Sequence, residues 1–148
     1  MGDDYTHLIG HRFPGGRTSV PHWMNRLFGD AVAAEEDPSP DVHPALVYYA
    51  AVQGSGVTFD DIFDLMVASA DSGVMVGEQT FRFERPLQIE KVYEVDGGIV
   101  DVERKVGRRA GTFDICTFEL RVREPGETEP IAVSTTSFVF PRRAEGSP

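Results

Sequence analysis

Residues 43–87, HPALVYYAAVQGSGVTFDDIFDLMVASADSGVMVGEQTFRFERPL, decide the fold. Leu46, Val47, Ala50 and Ala51 fall at helical spacing across an apolar segment from Pro44 to Val52. Gly54-Ser55-Gly56 interrupts it, and Phe59, Ile62, Phe63 and Met66 form a second stripe at i, i+3, i+4, i+7 between Thr58 and Met66. A helix this apolar must be covered. The chain beyond it is a series of long strand-like segments separated by turn signals, so the expected architecture is α+β, an antiparallel sheet wrapped around one central helix.

Outward from that stretch, Val74 to Arg85 reads as the first long strand, with Phe81 and Phe83 alternating with Thr80, Arg82 and Glu84 as if one face were buried, and Pro86 ends it. Lys91 to Val95 begins a second strand that breaks at Asp96-Gly97-Gly98, and Ile99 to Val106 continues it with Val100 and Val102 on one face. The glycines mark a bulge or a hairpin, giving one strand or two. Thr112 to Arg123 places Cys116, Phe118, Leu120 and Val122 on one face, while Phe113 and Ile115 put an apolar patch on the other. Residues 124–129 form a hairpin loop, and Pro130 to Phe140 is the last strand, ended by Pro141. Towards the start, residues 1–19 read as an arm with an edge strand near Leu8-Ile9. Pro21 opens a short helix that buries Trp23, Leu27 and Phe28, and Ala33 to Val42 is an acidic surface loop. Residues 142–148 have the composition of a tail, so the whole of 1–148 is expected to be a single domain.

Composition narrows the function. A net charge of -10 disfavours nucleic acid, since an acidic surface repels phosphate. With one cysteine, Cys116, no intrachain disulfide forms, and no Cys/His spacing points to zinc. The absence of a leader or a long apolar run predicts a cytoplasmic protein that neither crosses nor binds a membrane. Arg104, Lys105, Arg108 and Arg109 make a basic island, either a solvated hairpin tip that balances nearby acids or a holder of small-ligand phosphates. Arg142-Arg143 is a second such island.

Three segments carry a resemblance: HPALVYYAAVQGSG into the helix, GEQTFRFERPL (Gly77 to Leu87) and AVSTTSFVFPRR (Ala132 to Arg143). Over roughly Val20 to Arg143 the chain resembles the N-terminal-type half of MaoC-like, fatty-acid-synthase-type dehydratases, the (R)-hydratase/dehydratase superfamily, and that resemblance implies a single hot-dog fold. It further implies enoyl-thioester hydration or 3-hydroxyacyl dehydration by an Asp/His pair, with coenzyme A entering only as part of the substrate and no other cofactor. In the family the aspartate precedes the histidine by about five residues. Here Gly29-Asp30 is followed by no histidine until His43. The chain is therefore expected to lack its own pair and to form an acyl tunnel with a catalytic MaoC-like hot-dog partner, as a heterodimer or heterotetramer, otherwise as a homodimer. Fatty acyl, polyketide and steroid side-chain thioesters all suit an apolar tunnel.

Each candidate residue carries a plainer reading beside the functional one. Asp30, or Asp41, with His43 is the pair that would make the chain self-sufficient; a loop aspartate and a histidine bonded to backbone is the alternative. Tyr48 suits a tunnel lining or the core. Gln53, Gly54, Ser55 and Gly56 let a ligand approach the backbone, or merely hinge two helical pieces. Glu78 and Gln79 face a tunnel mouth or support the helix. Arg104, Lys105, Arg108 and Arg109 are the candidates for the coenzyme A phosphates. Two other functions compete: a hot-dog thioesterase using Asp60, Asp61 or Asp64, and a non-enzymatic acyl-CoA or lipid-binding module.

Overall fold

A computed structural model of the chain describes residues 4–35, 39–109 and 111–142. Three helices, α1 (His22–Ala31), α2 (Leu46–Gly54) and α3 (Phe59–Leu65), accompany five strands, β1 (Gly16–Thr18), β2 (Met75–Phe83), β3 (Tyr93–Gly107), β4 (Gly111–Arg123) and β5 (Pro130–Arg142). All pairings are antiparallel, in the order β1-β3-β4-β5-β2. The expected α+β layout of a helix against a sheet is present.

The interruption between the two helical pieces falls where the glycines place it. α2 stops at Gly54, and α3 opens on a capping box in which the Asp61 N–H donates to Thr58 Oγ1 while the Thr58 N–H donates to the Asp61 carboxylate. α2 buries Leu46, Val47, Ala50, Ala51 and Gly54 against the sheet. The small residues matter because a Cβ on Gly54 would meet a Val95 methyl at 2.5 Å, so only glycine lets helix and strand approach this closely. The sheet answers with Val95, Ile99, Cys116, Phe118, Leu120, Val122 and Phe138, all buried.

Several expectations need correcting. The edge strand of the arm is not at Leu8-Ile9, which follow a 3-10 turn at Thr6–Leu8, but at Gly16–Thr18. The arm lies along β3, with the Gly10 N–H donating to the Ile99 carbonyl and the Phe13 N–H to that of Gly97. Gly97 and Gly98 are thus neither a hairpin nor the bulge. A Cβ on Gly97 would collide with the Glu119 carbonyl oxygen, and one on Gly98 with that of His11. β3 is one strand, and its bulge falls between Ile99 and Asp101. Val100 is consequently turned out of the alternation and exposed while Val102 is buried.

Of the three residues expected on the buried side of α1, Phe28 does pack on the core and Trp23 and Leu27 do not. Trp23 and Leu27 are 61% and 63% exposed, and the adjacent i, i+4 pair, Met24 and Phe28, packs on the core instead. The two stripes differ by one residue, about 100° around a helix, and hydrophobicity alone favours the wrong one. β2 is exposed along its whole length although register sets Phe81 and Phe83 on the helix-facing side, opposite Ser134 and Ala132. Among the described residues it pairs only with β5, and its far edge is open. β5 does not stop at Pro141, which faces Phe113 on β4, because β2 begins opposite Val139 and requires no N–H from position 141. Arg142 is accordingly the last residue of a strand rather than tail, and the proposed island partner Arg143 lies outside the described residues. Phe113 and Ile115 do lie on the outer face, half-buried beside Pro141 and Val139.

Candidate functional site

Asp30, Asp41 and His43 line one open cleft of about 1190 Å³, bounded by one side of α1, by residues 39–44 and by the segment before β3 that carries Pro86, Ile89 and Glu90. The three are brought together as neighbours of a common space. They are not wired as an acid–base unit. The His43 N–H donates to Asn25 Oδ1 at 2.7 Å, its ring lies edge-on to Phe28, and its Nδ1 accepts the Ala45 N–H at 3.2 Å. With Nδ1 used as acceptor, the neutral ring carries its proton on Nε2 and presents a donor, so no lone pair faces outward for a general base. Among the described residues no carboxylate lies within ion-pair distance of that ring. Asp30 is exposed near the C-terminal end of α1, and Asp41 forms an isolated bridge to Gln88. Glu90, which sequence reasoning missed, takes a left-handed φ of 67° and accepts the His22 N–H at 2.8 Å, which closes the first turn of α1.

The Gln53–Gly56 interruption is approached by the chain's own arm. Ser55 is fully buried and its hydroxyl donates to the Val52 carbonyl at 2.7 Å, while the Gly15 N–H donates to the Ser55 carbonyl. Gly56, at φ +80°, lies so near the Gly15 carbonyl oxygen that a Cβ would stand 2.8 Å from it. Gln53 is exposed, its amide oxygen at 3.5 Å from the Thr18 hydroxyl. Nothing is left of that backbone for a ligand to approach at Gly54 and Ser55.

A second place gathers around Tyr48. Its ring stacks on Phe59 with centroids 6.4 Å apart and meets Phe81 edge-on at 6.0 Å, and Phe59 in turn meets Phe138 at 5.4 Å. Phe81 and Phe83 are 38% and 42% exposed, so this aromatic seam between α2, α3 and β2 is roofed on one side only. On the helix-facing side of β5 are Ser134 and Thr136, 2% and 1% exposed; the Thr136 hydroxyl stands close to that of Tyr48, and the Ser134 hydroxyl meets no hydrogen-bond partner among the described residues. Burial pushes the Tyr48 hydroxyl pKa up, and the nearby Thr136 hydroxyl opposes the shift. Gln79 stands opposite Thr136 on the exposed strand β2, and Glu78, across a bulge, points to the other face with Ser137. Ser134 and Thr136 had a sequence signal: they share the parity of Ala132, Phe138 and Phe140, polar residues in the inward register of an apolar strand.

The basic island divides. Arg104 grips Asp114 with two bonds of 2.7 and 2.9 Å, and Arg142 adds a third at 2.8 Å while its other nitrogen donates to the Met66 carbonyl. Burial would raise the Asp114 carboxyl pKa, but the two guanidiniums outweigh it and hold it below the usual range. Lys105, Arg108 and Arg109 are exposed at the β3–β4 tip. That tip closes the far end of a 15-residue strand from the cleft, roughly 45 Å along a straight strand. One copy does not bring the tip and the cleft together. Of the acidic helix residues, Asp61 is committed to the cap, and Asp60 and Asp64 are exposed. No cluster of three metal-ligating side chains occurs among the described residues.

No protein-family model matches the chain, and no curated protein matches it by sequence. Solved structures do match. A chain of the ChsH1-ChsH2 complex from Mycobacterium tuberculosis superposes with a TM-score of 0.73 at 13% identity, over 97% of this chain and 92% of the other. This chain has the hot-dog fold. A second hot-dog neighbour, from the HadBC (3R-hydroxyacyl-ACP dehydratase) complex of the same organism, gives 0.63 at 17% identity over 86% and 92%. A MaoC-like dehydratase gives 0.58 at 16% identity, and there this hot-dog unit spans 93% of itself but 43% of the longer chain. The structural resemblance is thus to MaoC-like dehydratases and related hot-dog proteins.

Proposed function

We infer that this chain is one hot-dog subunit of an acyl-thioester hydratase or dehydratase, and that a second hot-dog subunit supplies the Asp/His pair. The observation that carries the reading is the half-exposed aromatic seam at Tyr48, Phe59, Phe81 and Phe83, which lies along the edge strand β2. A nine-residue edge strand carrying exposed Met75, Val76, Phe81 and Phe83 is a template for another strand and another apolar face. The solved complexes named above, ChsH1-ChsH2 and HadBC, support a heteromeric arrangement. His43 fits a structural role, its Nδ1 being occupied by the Ala45 N–H.

Within this reading the acyl group lies in the seam and its thioester reaches the partner's catalytic residues. Lys105, Arg108 and Arg109 offer exposed cations for the phosphates of coenzyme A, while Arg104 contributes only if it loosens its grip on Asp114. Coenzyme A comes and goes with the substrate, in a reducing cytoplasm.

The test is hydration of crotonyl and longer enoyl thioesters, followed by loss of the enoyl absorbance. The chain alone is expected to be inactive, and co-expression with a catalytic MaoC-like chain restores turnover. In that complex His43→Ala keeps kcat within about tenfold, whereas removing a true general base costs about 10²–10⁴-fold. Turnover by the chain alone, abolished by His43→Ala, would overturn the inference.

A further inference from the structure

The open cleft beside α1, about 1190 Å³, is lined by two side chains whose polar atoms are divided between structure and empty space. A backbone N–H can only donate, so whatever faces it must accept. The His43 N–H, at 2.7 Å, therefore fixes the Asn25 amide with its oxygen towards the backbone. The Ala45 N–H, at 3.2 Å, likewise fixes the His43 ring with an Nδ1 lone pair towards it. What remains on each side chain is a donor: the Asn25 Nδ2 group and the Nε2–H of the neutral imidazole. Neither meets a partner among the described residues. Both residues are half-buried, and the Asn25 amide is bonded to the very residue that carries the imidazole, so the two donors are neighbours. The ring is held further by Phe28, edge-on with centroids 5.0 Å apart. Donors tied down in this way lose little rotamer freedom when a ligand arrives.

We propose that Asn25 and His43 form a two-donor clamp for the carbonyl oxygen of an uncharged ligand, whose apolar part lies against Pro44, Pro86 and Ile89 on the cleft wall. A carbonyl oxygen has two lone pairs and accepts from both donors. Charge at the rim argues against an anion, because Asp30, Glu35, Asp41 and Glu90 outnumber the guanidinium of Arg26. The clamp is independent of the acyl-thioester reading. That reading gives His43 a structural role through Nδ1, whereas the clamp uses Nε2. A thioester presents such an oxygen in the amides of its pantetheine arm, and a separate small amide presents the same chemistry.

Two substitutions delete a donor and keep the structural bond. Asn25→Asp retains an oxygen for the His43 N–H, and His43→Asn brings an amide oxygen to the place where Nδ1 accepts from Ala45. The full chain is titrated with pantetheine, cyclohexanecarboxamide and cyclohexanecarboxylate, and binding is followed by NMR at the backbone amides that flank the cleft. At least one of the two amides is expected to bind saturably at millimolar concentration, and the carboxylate more weakly. Each substitution raises the Kd of that amide about 3- to 10-fold, the worth of one neutral hydrogen bond, with Tm nearly unchanged. Ring-nitrogen chemical shifts of the free chain show the Nε2–H tautomer. Binding of pantetheine without the carboxamide assigns the oxygen to a thioester arm, and binding of the carboxamide at least as well assigns it to a separate small ligand; either upholds the clamp. It is overturned by an Nδ1–H tautomer, by a carboxylate that binds as tightly as the amides, by the lack of saturable binding of either amide, or by a Kd that one of the substitutions leaves unmoved. None of these outcomes bears on the enoyl-thioester assay above, so the two readings fail separately.

Discussion

Asp114 shows how one buried residue organises a corner of the sheet. Its carboxylate is 3% exposed and satisfies two guanidiniums, one of which, Arg142, also ties β5 to the end of α3 through the Met66 carbonyl. Removing it strands Arg104 and Arg142 without their counter-ion. Asp114→Asn is expected to lower stability by about 3 kcal/mol, read as a drop in the urea midpoint. Because the folded carboxyl pKa lies below its ordinary value of 3.8, its contribution is present above that pH and is lost as pH falls through the folded value. Denaturation curves from neutral to acid pH should therefore show a shallower loss of stability in the variant than in the parent. Cys116 illustrates the opposite sign. Burial, with a smaller effect from Asp101, pushes its thiol up to about 12. It should not react with an aromatic disulfide reagent at neutral pH until denaturant opens the fold, and stoichiometric labelling of the native chain would show the strand face to be accessible.

At the scale of elements, α3 is seven residues long, too short to persist without help from its cap and its packing. Thr58→Ala removes one half of the capping box and should cost about 1 kcal/mol, seen as a fall in Tm of several degrees. Stability unchanged by that substitution would place the ordering of α3 in Ile62 and Phe63 alone. The elements were unequally legible. α2 and β4 announce themselves because each buries a complete periodic stripe, and α3 because Ile62, Phe63 and Met66 are buried although Phe59 stays 37% exposed, so hydrophobicity and structure report nearly the same thing. α1 and β2 did not, because each is only partly covered. Two adjacent stripes on α1 are both apolar, Trp23 with Leu27 the more conspicuous, and which one turns inward depends on where His43 and the core stand. On β2 the alternation of Phe81 and Phe83 is real, yet among the described residues they are covered only in part, Tyr48 of α2 meeting Phe81 edge-on while the two phenylalanines stay 38% and 42% exposed. Gly97-Gly98 misled in a third way: a close approach, here of β4 to Gly97 and of the arm to Gly98, and a turn both demand glycine, and the sequence alone does not separate them.

For the whole molecule, the asymmetry of the sheet's two edges matters most. β1 is a three-residue strand, whereas β2 offers nine residues of open edge. If β2 is where a second hot-dog subunit pairs, Val76→Lys with Thr80→Lys should convert the assembly to single chains in light scattering, with Tm nearly unchanged since both sites are exposed. Assembly that survives both charges would move the interface to the outer face around Phe113 and Ile115.

The residues by themselves determined the helix–sheet class, the break at Gly54-Ser55-Gly56 and the inward face of β4, because periodicity and glycine chemistry are local. They also placed Asp30 and His43 too far apart for the family's usual spacing. Only the tertiary structure decided that His43 spends its Nδ1 on a backbone amide, that Arg104 is engaged by Asp114, and that Ser134 and Thr136 lie buried beneath Tyr48. Those facts depend on which distant strands meet, and hydrogen bonding and burial are properties of that meeting rather than of any one segment.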